Sequence, residues 1–179
     1  FSPDGKWLAW LENQGEWDSL MVASVAGWKK KEVLGGKSML IPAWLQGMRV
    51  MSWSPDSMHI YVIGNEKGFS ELWKVDISTG EIIPMNAGNF SHLAQINVNM
   101  TDGRIALQAS SPKQTPRLIV IEGNQLSVIR TGMPESITPE ELPIAEPVSW
   151  MTEAGRIHGI LYTPNHSDFV DEGLPPVIL

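Results

Sequence analysis

Residues 2–10, SPDGKWLAW, recur as residues 54–62, SPDSMHIYV, and this repeat decides the fold. The two copies lie 52 positions apart, and the same spacing places Leu20 over Leu72 and Val25 over Ile77. A weaker third copy starts at residue 101 as TDGRIAL, and its Asp102 lies 46 positions after Asp56 of the second copy. Each unit is about as long as a four-stranded sheet with its turns. The repeat therefore predicts consecutive units built from β-strands.

The turn inside each copy separates two short runs of β-branched and aromatic residues. Pro presets φ for a tight turn, and Gly or Asp tolerates the backbone angles that follow. The predicted strands of the second copy are 49–53, 59–63, 71–77 and 82–85, and those of the third are 94–99, 104–109, 117–122 and 125–130. Residues 78–81 and 123–124 are the expected hairpin tips. No segment shows a sustained helical period, so we expect little helix.

Four-stranded units of this kind stack radially as the blades of a propeller. We predict a mainly β fold with about three antiparallel blades over residues 1–131, the first blade lacking its opening strand. Large flat side chains would fill the space between blades, and we expect this of Trp7, Trp10, Trp53 and Trp73. Three blades do not close a ring and would expose sheet edges, so we expect further blades before Phe1.

The pattern changes after residue 131. Residues 132–147 carry four prolines, which exclude a continuous helix or central strand and predict an extended connector. Residues 148–179 form the next region, with predicted strands at 148–151 and 156–162, a turn at 153–155 and a polar loop at 165–173. The apolar run at 177–179 is typical of a strand covered on both faces, as in a parallel α/β sheet.

Composition excludes several classes of function. The net charge of −7 argues against a nucleic-acid groove and against a polybasic membrane surface. No stretch reaches the roughly 20 apolar residues of a membrane span. The chain has no cysteine, which excludes disulfides and thiolate chemistry and fits a cytoplasmic location. No phosphate-binding or calcium-binding motif occurs, so we expect no cofactor.

Titratable side chains with potential chemistry are few. The histidines lack the spacing of metal ligands, so we expect no metal site; they are His59, His92, His158 and His166. His158 alternates with apolar neighbours, which favours a hydrogen-bonded interface residue over a catalytic base. The recurring aspartates are expected to cap turns rather than to form a carboxylate pair; they are Asp4, Asp56 and Asp102. Glu140 and Glu141 are expected to be exposed in the connector.

The blade signature at residues 1–6 and 53–57 resembles propellers of TolB-like proteins and of the prolyl oligopeptidase family. Residues 109–120 resemble the last blade of the acylaminoacyl and dipeptidyl peptidase branch of that family. Residues 146–150 and 155–164, followed by the Pro-rich residues 174–179, are similar to the family's crossover into an α/β-hydrolase domain. The resemblance covers nearly the whole chain.

The resemblance implies a serine peptidase that hydrolyses short peptides, with a propeller that restricts access to the catalytic domain. A Ser-His-Asp triad would lie at the interface of propeller and hydrolase. No G-x-S-x-G elbow is present, so the resemblance places the triad beyond Leu179, and we expect residues 1–179 alone to be inactive.

The expected partners are a peptide substrate and the remaining domains of the parent chain; self-association is left open. The main alternative is a non-catalytic, TolB-like propeller that binds a protein partner. It predicts that residues 148–162 pair inside the propeller as part of another blade. A purely structural scaffold explains the apolar residues 177–179 poorly.

Overall fold

The computed structural model describes residues 1–42, 44–165, 168 and 173. It contains thirteen strands and one short 3₁₀ helix in these residues. The strands of the three repeat units are β1 (Trp7–Asn13), β2 (Asp18–Ser24), β3 (Lys30–Lys37), β4 (Met51–Trp53), β5 (His59–Glu66), β6 (Phe69–Asp76), β7 (Ile82–Met85), β8 (His92–Val98), β9 (Ile105–Ser111), β10 (Gln114–Glu122) and β11 (Gln125–Thr131). They are followed by a 3₁₀ helix at Pro139–Glu141 and by β12 (Ile144–Thr152) and β13 (Gly155–Thr163). None of these residues lies in an α-helix, so the described part has no helix that could cross a membrane.

The repeat units form three consecutive antiparallel sheets, as the sequence predicts. Blade 1 has the strand order β1-β2-β3, blade 2 has β4-β5-β6-β7, and blade 3 has β8-β9-β10-β11. Blade 1 has three strands, and its first strand follows the repeat turn at residues 2–5. The hairpin tips follow from glycines with positive φ, since Gly80 has φ +76° and Gly123 has φ +57°.

Two apolar cores lie between the blades. The first joins blades 1 and 2 and includes Leu20, Val22, Trp53, Ile60, Val62, Trp73 and Val75. The second joins blades 2 and 3 and includes Ile63, Leu72, Ile96, Leu107, Ile119 and Ile121. Full burial of one such aliphatic side chain contributes about 1.5–3 kcal/mol, so these interfaces supply most of the stabilisation.

The predicted packing of tryptophans between blades is confirmed at three of four positions. Trp53 and Trp73 are buried in the first core, and Trp7 packs against it. Trp10 differs, because it is half-buried and its indole N–H donates to Glu12 at 3.2 Å. Side chains of a strand alternate between faces, so Trp10 lies on the face of β1 opposite to Trp7.

The chain beyond blade 3 consists of a connector and a two-stranded ribbon, β12–β13. The connector was predicted to extend to residue 147, but β12 begins at Ile144 and contains Pro147 opposite Ile160. The ribbon tolerates Pro147 because each of its strands has one free edge, where the missing N–H is not needed. Both ribbon strands are longer than predicted. The predicted strand at 177–179 and most of the loop at 165–173 lie outside the described residues.

Candidate functional site

The two ends of the blades carry different loops. Because antiparallel strands reverse direction, the repeat turns at 2–5, 54–57 and 101–103 lie at one end, here called the repeat-turn face. The hairpin tips at 67–68 and 112–113 lie at the opposite end, here called the hairpin-tip face. The ribbon contacts the hairpin-tip face: a Cβ added to Gly68 would lie 3.1 Å from Cγ1 of Ile160.

Aspartates stabilise the repeat-turn face, as the sequence predicts. The Asp4 carboxylate accepts from the Ser2 hydroxyl at 2.6 Å and from the N–H of Lys6 at 3.0 Å, and these bonds lower its pKa. Burial raises the pKa of Asp56, but hydrogen bonds from Ser54 and Met58 outweigh it and the net shift is downward. Each carboxylate satisfies donors of its own turn, so these aspartates are structural caps.

Asp102 caps the third turn in the same way. Its carboxylate pairs with the Arg104 guanidinium at 2.6 Å and accepts from the Arg104 N–H at 3.0 Å. The hydrogen bonds from Arg104 lower the pKa of Asp102. This third copy of the turn therefore keeps its capping aspartate although it lacks the Ser-Pro start of the other two.

The first two turns are also joined to each other. Ser57 takes the place that glycine holds in the first copy and keeps a positive φ of +60°. Its hydroxyl accepts from the N–H of Asp4 at 3.1 Å, a bond that links blade 2 to blade 1. Sequence analysis missed this link, because the exchange of Gly5 for Ser57 in the repeat gives no sign of a bond between blades.

A groove on the hairpin-tip face lies between blade 3 and the connector. It has a volume of about 490 Å³ and is lined by Phe69, Lys113, Gln114, Arg117, Glu135 and Pro143, among others. The Arg117 guanidinium pairs with Glu135 and lies 5.8 Å from the centre of the Phe90 ring. Glu135 also accepts from the N–H of Thr115 at 3.3 Å, so one carboxylate fastens the connector to blade 3.

A second cavity of about 390 Å³ lies between the ribbon and blades 1 and 2. It is lined by Trp17, Lys37, Glu66 and His158, with the 67–68 hairpin tip. Lys37 pairs with Glu66 at 2.7 Å and lies 5.1 Å from the centre of the Trp73 ring. A pair exposed to this degree contributes little to stability. The cavity is therefore lined by polar and aromatic side chains, and its Lys37 and Glu66 pair with each other.

Among the described residues, no histidine belongs to a metal-binding cluster. His158 was predicted to be a hydrogen-bonded interface residue; it lines the second cavity, but its exposed ring makes no hydrogen bond to the described residues. The ribbon contacts the blades near Ile160 but leaves the His158 ring at the open cavity, which explains the difference. His59 lies between Asp56 at 3.3 Å and Asp76 at 3.7 Å. His92 is exposed at the start of β8, and His166 lies outside the described residues.

Other predicted positions agree with the structure. Glu140 and Glu141 are exposed, although they lie in a 3₁₀ turn rather than in an extended segment. Asn165 donates to the carbonyl of Glu140 at 2.6 Å and holds this turn against the end of the ribbon. Within residues 1–42, 44–165, 168 and 173, no three acidic or histidine side chains are arranged to hold a metal ion.

No family model matches the chain. Its sequence is 27% identical over 164 residues to dipeptidyl-peptidase 5 of Porphyromonas gingivalis, a match that covers 88% of this chain and 23% of that protein. The chain therefore spans about a quarter of the length of this curated relative.

Solved structures share the fold. Puromycin hydrolase superimposes with a TM-score of 0.65 at 20% identity, over 98% of this chain and 35% of that one. Prolyl oligopeptidase B from Galerina marginata gives 0.59 at 11% identity, over 86% and 23%. A putative TolB from Agrobacterium tumefaciens gives 0.59 at 11% identity, over 92% and 57%. The sequence match makes this chain a homologue of dipeptidyl-peptidase 5, and the solved structures share its propeller-like fold.

Proposed function

We propose that the chain is the closing part of a gating propeller in a longer serine peptidase that hydrolyses short peptides. The catalytic serine, histidine and aspartate belong to the rest of that protein. In such a triad the serine attacks the peptide carbonyl, the histidine accepts its proton, and backbone N–H groups stabilise the oxyanion. The propeller would contribute a wall over this site and exclude large substrates.

The observation that carries this proposal is the separate ribbon. β12 and β13 pair with each other along nine residue pairs, from Ile144 opposite Thr163 to Thr152 opposite Gly155. Among the described residues they join none of the three blades. A chain that leaves the propeller and forms a new sheet over the hairpin-tip face is what a crossover into a second domain requires. Residues 148–179 would then be the first strands of the hydrolase domain.

The alternative is a non-catalytic propeller of TolB type that binds a protein partner. It requires residues 148–162 to complete a blade, whereas the described ribbon lies apart from the blade sheets. The ribbon also exposes large apolar side chains, including Trp150 at 50% and Met151 at 66%. Such a surface favours contact with further protein over a finished ring edge.

The proposal is tested with the full-length protein and substrates of rising length. We expect hydrolysis of peptides of a few residues and no cleavage of a folded or long substrate such as casein, because the propeller restricts entry. Cleavage of casein at a comparable rate would contradict the gating role. If the folded protein cleaves none of the peptides in the series, the peptidase assignment is contradicted.

A further inference from the structure

A continuous groove runs between the hairpin-tip face and the ribbon. The part beside the connector has a volume of about 490 Å³, and a further cavity of about 340 Å³ lies between blades 2 and 3 and the ribbon residues Ile160 and Tyr162. Each volume falls within the range of roughly 300–1,000 Å³ that ligand sites occupy. The two spaces join, because four residues line both of them: Phe69, Ser91, Ser111 and Pro112.

Backbone hydrogen bonds between blades 2 and 3 hold the serine-rich wall of this groove in place. The N–H of Ser70 in β6 donates to the carbonyl of Ser91 at 2.9 Å. The N–H of Ser91 in turn donates to the carbonyl of Ser110 in β9 at 3.1 Å. A wall built on the ends of paired strands positions its side chains more precisely than a free loop does.

The side chains on this wall have unused hydrogen-bonding capacity. Within the described part of the chain, the hydroxyls of Ser91, Ser110 and Ser111 make no side-chain hydrogen bond. The amide oxygen of Gln114, which also lines the groove, is buried without a partner. Such an unmet acceptor costs about 1–3 kcal/mol. The last torsion of a glutamine side chain is soft, so rotation about it turns either end of the amide toward a ligand.

The groove carries little unmatched charge. Arg117 and Glu135 line its connector end but pair with each other, and Lys113 is the remaining lysine or arginine of its described lining. Phe69 and Tyr162 add aromatic surface. Hydroxyl and amide groups beside aromatic rings suit a neutral ligand with both polar and apolar parts. An extended peptide has this character, because each residue offers one N–H donor and one C=O acceptor between its side chains.

We propose that this groove binds the main chain of an extended substrate peptide, with Gln114 accepting from a peptide N–H and Ser91 donating to a peptide carbonyl. Contacts to the main chain supply affinity without selecting a particular side chain. A carbohydrate would offer hydroxyls to the same groups, but one wall of the groove is the ribbon that leads toward the proposed hydrolase, which favours the peptide. The proposal rests on the proposed peptidase function and adds its mode of substrate recognition. Gln114 and Ser91 are binding residues here and take no part in bond cleavage.

The test compares a peptide with and without its N–H donors. The full-length protein is first treated with a fluorophosphonate, so that hydrolysis does not consume the ligand, and binding is measured by calorimetry. The ligands are acetyl-pentaalanine amide and the same peptide with an N-methyl group on every alanine. We expect the first to bind about tenfold more tightly, because only the first offers N–H groups to the Gln114 oxygen.

Two variants assign the contacts. Q114L should weaken binding of acetyl-pentaalanine amide by about three- to tenfold and leave the N-methylated peptide unaffected, because only one of them donates to Gln114. S91A keeps the backbone bonds of Ser91 and should weaken both peptides, since both retain their carbonyls. The matched control is Q125L, which changes an exposed glutamine at the start of β11 and should bind both peptides as the unmodified protein does.

Equal binding of the two peptides by the unmodified protein would overturn the proposal. So would full affinity for acetyl-pentaalanine amide in Q114L or in S91A when circular dichroism shows a folded protein. Tighter binding of maltopentaose than of either peptide would also overturn it and would indicate a carbohydrate site. A protein that binds the peptide through Gln114 but is not labelled by the fluorophosphonate would support the groove and contradict the peptidase function.

Discussion

Replacing Gly68 by alanine should weaken the contact between blade 2 and the ribbon. Gly68 has φ +89° at the tip of the β5–β6 hairpin, and a Cβ there would lie 3.1 Å from Cγ1 and 3.2 Å from Cδ1 of Ile160. The backbone angle alone costs alanine about 1–2 kcal/mol. Crowding against Ile160 adds about 1 kcal/mol, the low end for overpacking, because an isoleucine side chain can shift.

The matched control is G15A in the β1–β2 hairpin. Gly15 has nearly the same φ, +91°, and an added Cβ would meet no atom within 4 Å. Urea unfolding of both variants separates the backbone cost, which they share, from the contact cost, which only G68A carries. Adding I160A to G68A should recover the contact cost, whereas adding I160A to G15A should recover nothing. Equal destabilisation by G68A and G15A, or no recovery with I160A, would refute the packing of the ribbon on this tip.

Three further outcomes follow from the blades. G64A should lower the free energy of unfolding by about 1–3 kcal/mol in urea titrations, because its Cβ would lie 2.5 Å from the buried Trp73 ring; an unchanged midpoint would contradict this packing. S57A and S57G both lose the bond from Asp4, but only S57A keeps a side chain at positive φ, so S57A should cost about 1 kcal/mol more than S57G; the reverse order would contradict this backbone strain. Asp76 accepts hydrogen bonds from the following turn, chiefly the Ser78 hydroxyl, which hold its pKa well below the ordinary value. Its stabilisation is therefore present above about pH 4 and lost as the pH falls further. In D76N the free energy of unfolding, followed by tryptophan fluorescence, should fall less as the pH drops below about 4. An unchanged pH dependence would contradict the assignment.

The blades could be predicted because each local signal agrees with the packing. Turn residues mark both ends of most strands, and the predicted strand at 82–85 matches β7 without a shift. The predicted strands 59–63 and 71–77 stop short of the hairpin tip, whereas β5 and β6 continue to Glu66 and Phe69. Residues near this tip are polar and exposed, so their sequence resembles a loop although the backbone remains paired.

Contacts between blades could not be predicted, because they join residues that are distant in the sequence. Asp4 and Ser57 are 53 positions apart and meet only where blades 1 and 2 pack. Gln95 has φ +58° at a bulge in β8, and no glycine marks this bulge, so the sequence reads as an ordinary strand. His158 was misjudged for a related reason. Its apolar neighbours indicate burial, but β13 has only β12 beside it and contacts blade 2 near Ile160, so the His158 ring stays exposed in the described residues.

The most direct test of the account is to map the reactive serine of the full-length protein. After labelling with a fluorophosphonate and proteolysis, mass spectrometry identifies the modified residue. The account predicts one labelled serine outside residues 1–179, because the propeller and ribbon bind and gate while another part of the chain carries the nucleophile. Label on a serine within residues 1–179, or no labelled serine in an active preparation, would contradict it.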